Sequence, residues 1–527
     1  MAQATFLKRL SAVSAAVFLL CLGAPNAQAQ EPTPTPPDTS RVNQDELASF
    51  YGRMNVVVGS GARAFGMGGA FLARADDATA ASWNPAGLSY LRRTEVSLVG
   101  AHNDFQQRIP RLNEVPDPDE QVETRDQLQG SVADFIGAVY PLRVGERAGA
   151  IQLSYQRSFS FTGSRKSEGP VGVKGFTSDE ICVDGALTTT GSSVCRPSTV
   201  LPTEFTVQGN GGFDTLSLSS GFELHPRLRL GVSVNRWING FSQTVDRPDA
   251  QTGGYRRIDS SWDISGTNFN LGAIFIPTPK LNLGAVLKTP FRADLRLTKV
   301  REDQTNRPDP DTGKRPLADS NYGSSDEVSI RFPRVYGLGA SYRATNTVTI
   351  SADFTRTAWS ESTIDGFFSL ARRPRTDVAA PLPPGGVDPL IDQYETLPFP
   401  AVEEGANGQA DTNQFRVGAE WVLRLGQPGN VLIPLRAGFF RDEQPVIIRL
   451  NDANGVPLPE EQPTFSGLTA GVGVTVGGVL FDLAYIRERG DVDAARVNNG
   501  KNVADATRSI RYNRIFASVM FRFGQRR

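Results

Sequence analysis

Hydrophobic and polar residues alternate along most of the chain beyond residue 94, with the two-residue period that sends successive side chains to opposite faces of a strand. In Thr347 to Thr355, Val348, Ile350, Ala352 and Phe354 share one face, and Thr349, Ser351, Asp353 and Thr355 share the other. Phe415 to Arg424 repeats the pattern, with Phe415, Val417, Ala419, Trp421 and Leu423 opposed to Arg416, Gly418, Glu420 and Arg424. Such runs predict fourteen strands, at 94 to 104, 131 to 142, 148 to 162, 213 to 224, 228 to 245, 256 to 276, 280 to 298, 327 to 344, 347 to 360, 412 to 425, 431 to 441, 465 to 476, 479 to 489 and 508 to 523. Their connections alternate short and long. The short ones centre on Val144-Gly145, His225-Pro226, Pro277-Thr278, Thr345-Asn346, Gln427-Pro428 and Gly477-Gly478. The long ones, at 105 to 130, 163 to 212, 246 to 255, 299 to 326, 361 to 411, 442 to 464 and 490 to 507, carry the charge. An even number of strands with tight turns on one side and long polar loops on the other is the layout of an outer-membrane β-barrel. A propeller would repeat a blade motif every ~40 to 50 residues, and the sequence holds no such repeat.

One long apolar run is present, and it is N-terminal. Lys8 and Arg9 precede Leu10 to Leu22, and Ala27-Gln28-Ala29 supplies an A-x-A site, so residues 1–29 read as a signal peptide. Phe18-Leu19-Leu20 lacks the small residues expected before a lipidated Cys21. Residues 30–40, rich in Pro and Thr, bury too little to order themselves and read as a flexible tail. No later stretch reaches the roughly 18 apolar residues of a membrane helix. The mean hydropathy of -0.28 suits a barrel whose strands alternate. A net charge of -1 argues against nucleic acid as a partner. Cys182 and Cys195, close together in one long connection, read as a disulfide in an oxidising compartment. The two histidines, His102 and His225, fall at opposite ends of the barrel, so no Ser-His dyad is expected. Metal-ligand spacing is also missing, and the expectation is a non-enzymatic protein without cofactor or metal.

Gly61 to Leu88 breaks the alternation. Gly66, Gly68 and Gly69 permit close backbone approach and positive φ, and Ala70, Ala73, Ala75, Ala78, Ala80 and Ala81 keep the surface thin, which suits a cramped space. Asp76 and Asp77 are candidates to cap a short helix over Ala78 to Ser82. Pro85 then forces Asn84 to extend, and Gly87 follows as a turn residue. Nucleotide binding is disfavoured, because G-M-G-G-A-F is an incomplete glycine fingerprint without a Walker lysine.

The run Ala75 to Leu88, A-D-D-A-T…N-P-A-G-L directly before the first strand, resembles the hatch of the FadL/TodX-like outer-membrane transporters of long-chain fatty acids and other hydrophobic compounds. The resemblance implies an all-β fold: a fourteen-stranded antiparallel transmembrane barrel over residues 91–527, with a plug over residues 41–90 inside it. It implies a bacterial outer-membrane location, and passive uptake of a hydrophobic molecule, a long-chain fatty acid or an aromatic hydrocarbon. Asn84, Pro85 and Ala86 are carried over as lining of the ligand pocket or its gate, and a strand kink is expected around Ala148 to Thr162. Outer-membrane lipid and the barrel-assembly machinery are the other expected partners. The last strand, with Ile515, Ala517, Val519, Phe521 and Phe523 towards lipid, ends near an aromatic like an assembly signal, although Gly524 to Arg527 trail past it. Strand parity sends Leu432, Arg436, Phe440, Phe516, Met520 and Arg522 to the lumen, together with Arg416 from the tenth strand. Apolar groups beside arginines suit an amphiphile with an acidic head group, and equally suit packing against the hatch. A barrel that serves as a scaffold for secretion or surface attachment is the alternative to a transporter.

Overall fold

The computed structural model describes residues 59–110, 123–168, 205–249, 254–305, 317–322, 327–371, 394–398, 409–426, 431–445, 456–498 and 501–524, with single residues 447 and 452. The signal peptide, the 30–40 tail, the start of the expected plug, Cys182 and Cys195, and the turn at Gln427-Pro428 lie outside the described residues.

Among the described residues the chain forms a closed antiparallel barrel of 14 strands. The first, Thr94–Pro110, pairs with the second, Glu123–Val144, and with the last, Lys501–Phe523, which closes the ring. Between them run the third (Arg147–Ser160, then Gly163–Glu168), fourth (Phe205–His225), fifth (Leu228–Ile238, then Gly240–Asp249) and sixth (Gly254–Thr278). Next come the seventh (Leu281–Lys288, then Phe291–Thr305), eighth (Glu327–Phe332, then Val335–Arg343) and ninth (Val348–Thr357, then Thr363–Ala371). The tenth to thirteenth are Thr412–Leu425, Val431–Glu443, Thr464–Val476 and Val479–Asn498. Two short pieces extend the wall: Leu317–Tyr322 pairs with the seventh strand and Tyr394–Pro398 with the ninth.

Alternation becomes an inside and an outside. Ile350, Phe354, Phe415 and Trp421 are exposed on the outer face, while Ser351, Asp353, Thr355, Arg416 and Glu420 of the same strands are buried. Leu153, Leu218, Leu338 and Leu468 continue the outward apolar surface around the ring. This inverts a soluble protein, because the polar set is enclosed and the apolar set faces the surroundings, as a hydrocarbon environment requires.

Two expectations are corrected. Several long connections are substantially strand: Pro110 pairs with Glu123, Asp249 with Gly254, and Asn498 with Lys501, so hairpins rise well beyond the predicted ends. Outside a membrane both faces of such a hairpin are wet, so no apolar alternation marks it. Four predicted strands are also interrupted. The third breaks at Phe161-Thr162, inside the expected kink interval, and the fifth at Asn239, whose φ of 65° is the only positive value at a non-glycine among the described residues. The seventh and eighth break beside Pro290 and Pro333, which have no N–H for the ladder. The ninth strand is interrupted as well: its first piece stops at Thr357, and a 3-10 turn Trp359–Glu361 precedes the second.

Gly59 to Leu91 threads between the walls. Its backbone meets a belt of strand glycines: a Cβ on Gly221, Gly231 or Gly272 would strike Asn84, Pro85 or Ala86, one on Gly284 would strike Leu72, and one on Gly418 or Gly438 would strike Met67 or Gly68. Gly221, Gly231 and Gly272 are successive cross-strand partners, as are Gly418 and Gly438. Glycine in a strand interior here serves close approach of a second backbone.

Candidate functional site in the barrel lumen

The luminal segment begins with a helix, Ala62–Gly66, and then turns through Gly68 and Gly69 at φ 69° and 76°, a conformation that favours glycine. Gly66 has no positive φ, and its need is close approach, to Gly471. The second helix is Ala80–Trp83, starting two residues later than expected and without a side-chain cap. Asp77 instead folds onto Thr79, accepting from its backbone N–H at 2.9 Å and its hydroxyl at 2.7 Å, while Asp76 pairs with Arg63 at 2.7 Å. Asn84 is extended (φ −147°, ψ 106°) and a 3-10 helix, Pro85–Tyr90, follows with proline in its first turn. Gly87 lies inside that helix against the Ala75 carbonyl rather than in a reversal.

Asn84 is fully buried and ties three elements together. Its amide donates to the carbonyls of Leu72 (2.9 Å) and Ala273 (3.2 Å), and its oxygen accepts from Ala86 N–H at 3.1 Å. Asp353, reaching in from the ninth strand, accepts from the N–H groups of Phe71 and Leu72 at 2.6 and 2.8 Å. Apolar packing adds to this. Phe65 stacks on Phe516 at 4.2 Å, and Trp83 meets Phe65 and Phe71 edge-on, in a cluster that also contains Phe440 and Met520.

One side of the lumen is charged. Glu420 accepts from Arg74 at 2.6 Å, from Arg436 at 2.8 Å and from Arg63 at 3.3 Å, and Arg436 reaches on to Asp482 at 2.6 Å. Arg416 pairs with Asp442 at 2.6 Å, donates to the Gly68 carbonyl at 3.3 Å, and lies over the Phe440 ring. Arg522 turns to Glu95 at 2.8 Å. The arginines that parity sends inward are therefore engaged with carboxylates and with the luminal segment.

A cavity of about 90 Å³ opens on the other side. Phe159, Trp237, Phe291, Phe332 and Trp359 form its apolar wall, and Ser154, Gln156, Ser158, Thr215, Ser217, Asn235, Asn268, Asn270, Thr289 and Thr357 its polar one. Lys288 also lines it, and Ala81 and Ser82 of the luminal segment close one side. The aromatic side chains belong to a second buried cluster, with Phe291 stacked on Phe332 at 4.9 Å and on Trp237 at 5.0 Å. None of Asn84, Pro85, Ala86, Arg416, Arg436, Phe440, Phe516 or Met520 lines this cavity. Asn84 to Ala86 lie nearby in the chain, two residues beyond Ser82. Strand parity was the signal for the missed residues: Gly284 and Val286 face inward, and so does Lys288.

One further expectation changes. His102 and Ser131 are cross-strand partners, and their side chains lie 2.8 Å apart on an exposed face, so a Ser-His contact does form. Neither residue lines the cavity.

A ring of strands closed around an inner segment and a side cavity defines the class: a fourteen-stranded membrane-type β-barrel with an occupied lumen. Its fold is shared with a FadL homologue of Pseudomonas aeruginosa at 14% identity and a TM-score of 0.52, covering 89% of this chain and 99% of that one. It is likewise similar to the toluene transporter TbuX of Ralstonia pickettii (14% identity, TM-score 0.50, 89% of this chain and 99% of that one). The toluene transporter TodX of P. putida matches at 14% identity and a TM-score of 0.50, over 89% of this chain and 100% of its own. A family model described as BamG matches residues 196–372. No curated protein sequence matches the chain.

Proposed function

We propose that the protein is a bacterial outer-membrane channel for passive uptake of a hydrophobic or amphiphilic small molecule, with Arg41 to Tyr90 as its hatch. The observation that carries this reading is the cavity against the luminal segment, a concave site with an aromatic wall facing a polar one. The shared fold with two toluene transporters supports it. At about 90 Å³ the cavity is smaller than the ~150 Å³ that holds a benzene ring, so even a compact ligand enters only as the walls part, and an extended acyl chain would leave most of its length outside. Asn84, Pro85 and Ala86 act as the gate by fixing the segment whose Ala81 and Ser82 close the cavity. Asn84→Ala strands buried carbonyls at about 1–3 kcal/mol, and Pro85→Ala frees the fixed φ of the first 3-10 turn.

The test is uptake of labelled oleate and of a monoaromatic hydrocarbon by cells carrying wild type, Asn84→Ala or Pro85→Ala, with surface-exposed protein measured in parallel. Uptake above a deletion strain, altered in the variants at equal surface levels, is the expected result. A second reading, a scaffold for secretion or surface attachment, is favoured by the ion pairs that hold the segment to the wall at Glu420. Absence of uptake of either ligand, with secreted proteins recovered in pull-downs, would move the assignment to that scaffold.

A further inference from the structure

The polar wall of the cavity has a direction. Ser217, Asn235 and Asn268 are cross-strand neighbours on the fourth, fifth and sixth strands, and Asn270 sits two residues beyond Asn268. The Ser217 hydroxyl donates to Asn235 Oδ1 at 2.7 Å, Asn235 Nδ2 to Asn268 Oδ1 at 3.2 Å, and Asn268 Nδ2 to Asn270 Oδ1 at 3.3 Å. An amide row of this kind can in principle run either way, but Trp237 fixes it. Its indole N–H, which can only donate, sits 2.9 Å from Asn268 Oδ1. That oxygen must be the acceptor, so every amide downstream presents its oxygen backwards and its NH2 forwards. The row ends at Asn270, whose NH2 makes no hydrogen bond to another described residue. Asn270 is the cross-strand partner of Lys288 on the seventh strand.

Asn270 and Lys288 thus bring an amide NH2 and an ammonium to neighbouring positions of the cavity wall, and Lys288 is the one ionisable side chain among the lining residues. Five aromatic rings form the apolar part of the wall. An anion fits the two donors, because charge-assisted hydrogen bonds are about twice as strong as neutral ones. A flat apolar body fits the rings.

We infer that the cavity selects a one-ring aromatic acid, with its carboxylate on Lys288 and Asn270 and its ring against the wall that Phe159, Trp237, Phe291 and Phe332 build. This rests on the uptake reading above and names its substrate class, with Lys288 as the residue that sets specificity.

The experiment is calorimetric titration of the purified full chain in detergent with benzoate, toluene and oleate, using wild type, Lys288→Met, Lys288→Arg and Asn270→Leu. Heat-modifiable gel migration shows that each barrel is folded. Wild type is expected to bind benzoate at least about ten-fold more tightly than toluene, and Lys288→Met to lose about ten-fold or more in benzoate affinity. Lys288→Arg should retain most of the preference, Asn270→Leu should lose part of it, and toluene binding should be the same throughout. Equal affinity of wild type for benzoate and toluene, or benzoate binding untouched in Lys288→Met, overturns the inference and leaves uptake of a neutral hydrocarbon standing. Oleate held through Lys288 more tightly than benzoate overturns the one-ring size. If a folded barrel binds none of the three, the cavity is not the ligand site, and the uptake reading loses the observation that carries it.

Discussion

The two sides of the lumen solve different problems with the same strand geometry. On the tenth to thirteenth strands, inward positions hold Arg416, Glu420, Arg436 and Asp482, each engaged by a partner, and the luminal segment is tied to them through Arg63, Arg74 and the Gly68 carbonyl. On the third to ninth strands, the inward positions around the cavity hold aromatic rings, amides and hydroxyls with Lys288 as the one ionisable group, and the same segment leaves the cavity beside them. Buried ion pairs contribute little net stability but are costly to break, because the partner is left charged and dry. Aromatic rings can part and close again at lower cost, since they carry no charge of their own. On the proposed reading the charged side is the fixed seat of the segment and the aromatic side the working face.

The largest effect expected on this contrast comes from Glu420→Ala, which leaves Arg63, Arg74 and Arg436 without their common partner. Removal of one member of a buried pair costs about 3–5 kcal/mol, and the loss should appear as a lower thermal midpoint of the folded form in detergent. A midpoint equal to wild type would show that the seat does not depend on this carboxylate. Next comes the glycine belt. Gly231→Val drives a side chain into Pro85 and Ala86, where overpacking costs about 1–3 kcal/mol. The segment should then be displaced, and limited proteolysis of intact cells and of purified protein should cleave within residues 59–91, where wild type resists.

The smallest effect concerns Asp411, just before the tenth strand, which holds the turn carrying Trp359. Its carboxylate accepts from the Ser360 backbone N–H at 3.1 Å, from the Ser360 hydroxyl at 2.7 Å and from Arg356 at 2.8 Å. Burial pushes the Asp411 carboxyl up, but these hydrogen bonds and the Arg356 charge outweigh it and hold the group below its ordinary value of 3.8. A depressed carboxyl stabilises the fold above its unfolded pKa and loses that contribution as pH falls through the folded value. Trp359 should thus keep its environment through the ordinary carboxylate range and lose it only below. Tryptophan fluorescence, with Asp411→Asn as the control that lacks the transition, measures this.

The sequence made the barrel legible because a hydrocarbon surround imposes strict parity: Phe415 and Trp421 had to face out, so Arg416 and Glu420 had to face in. It hid the outer hairpins, where no such constraint operates, as at Asn498 and Lys501. Pro290 and Pro333 marked two of the breaks in plain view, whereas the break at Phe161-Thr162 has no such residue and depends on its neighbours. There the carbonyls of Phe161 and Thr162 occupy space that only Gly209 and Gly130 leave. The candidate site was the least readable part. Parity places Asn235, Asn268 and Lys288 inward, but their meeting depends on register between strands, which a single chain does not reveal.

The seat of the luminal segment also sets the order of events when the chain folds. Ala62 N–H donates to Ser518 at 2.7 Å across 456 positions, and Gly68 N–H to Thr469 at 2.9 Å across 401. The earliest part of the barrel domain to emerge is thus anchored by nearly the latest. Loop closure over such spans precedes any gain from the contacts it brings, which makes folding slow. Until the fourteenth strand joins the first, the segment has only part of its cradle. Ring closure and the locking of its contents are one late, cooperative event, and a chain truncated before Ser518 should lose both together.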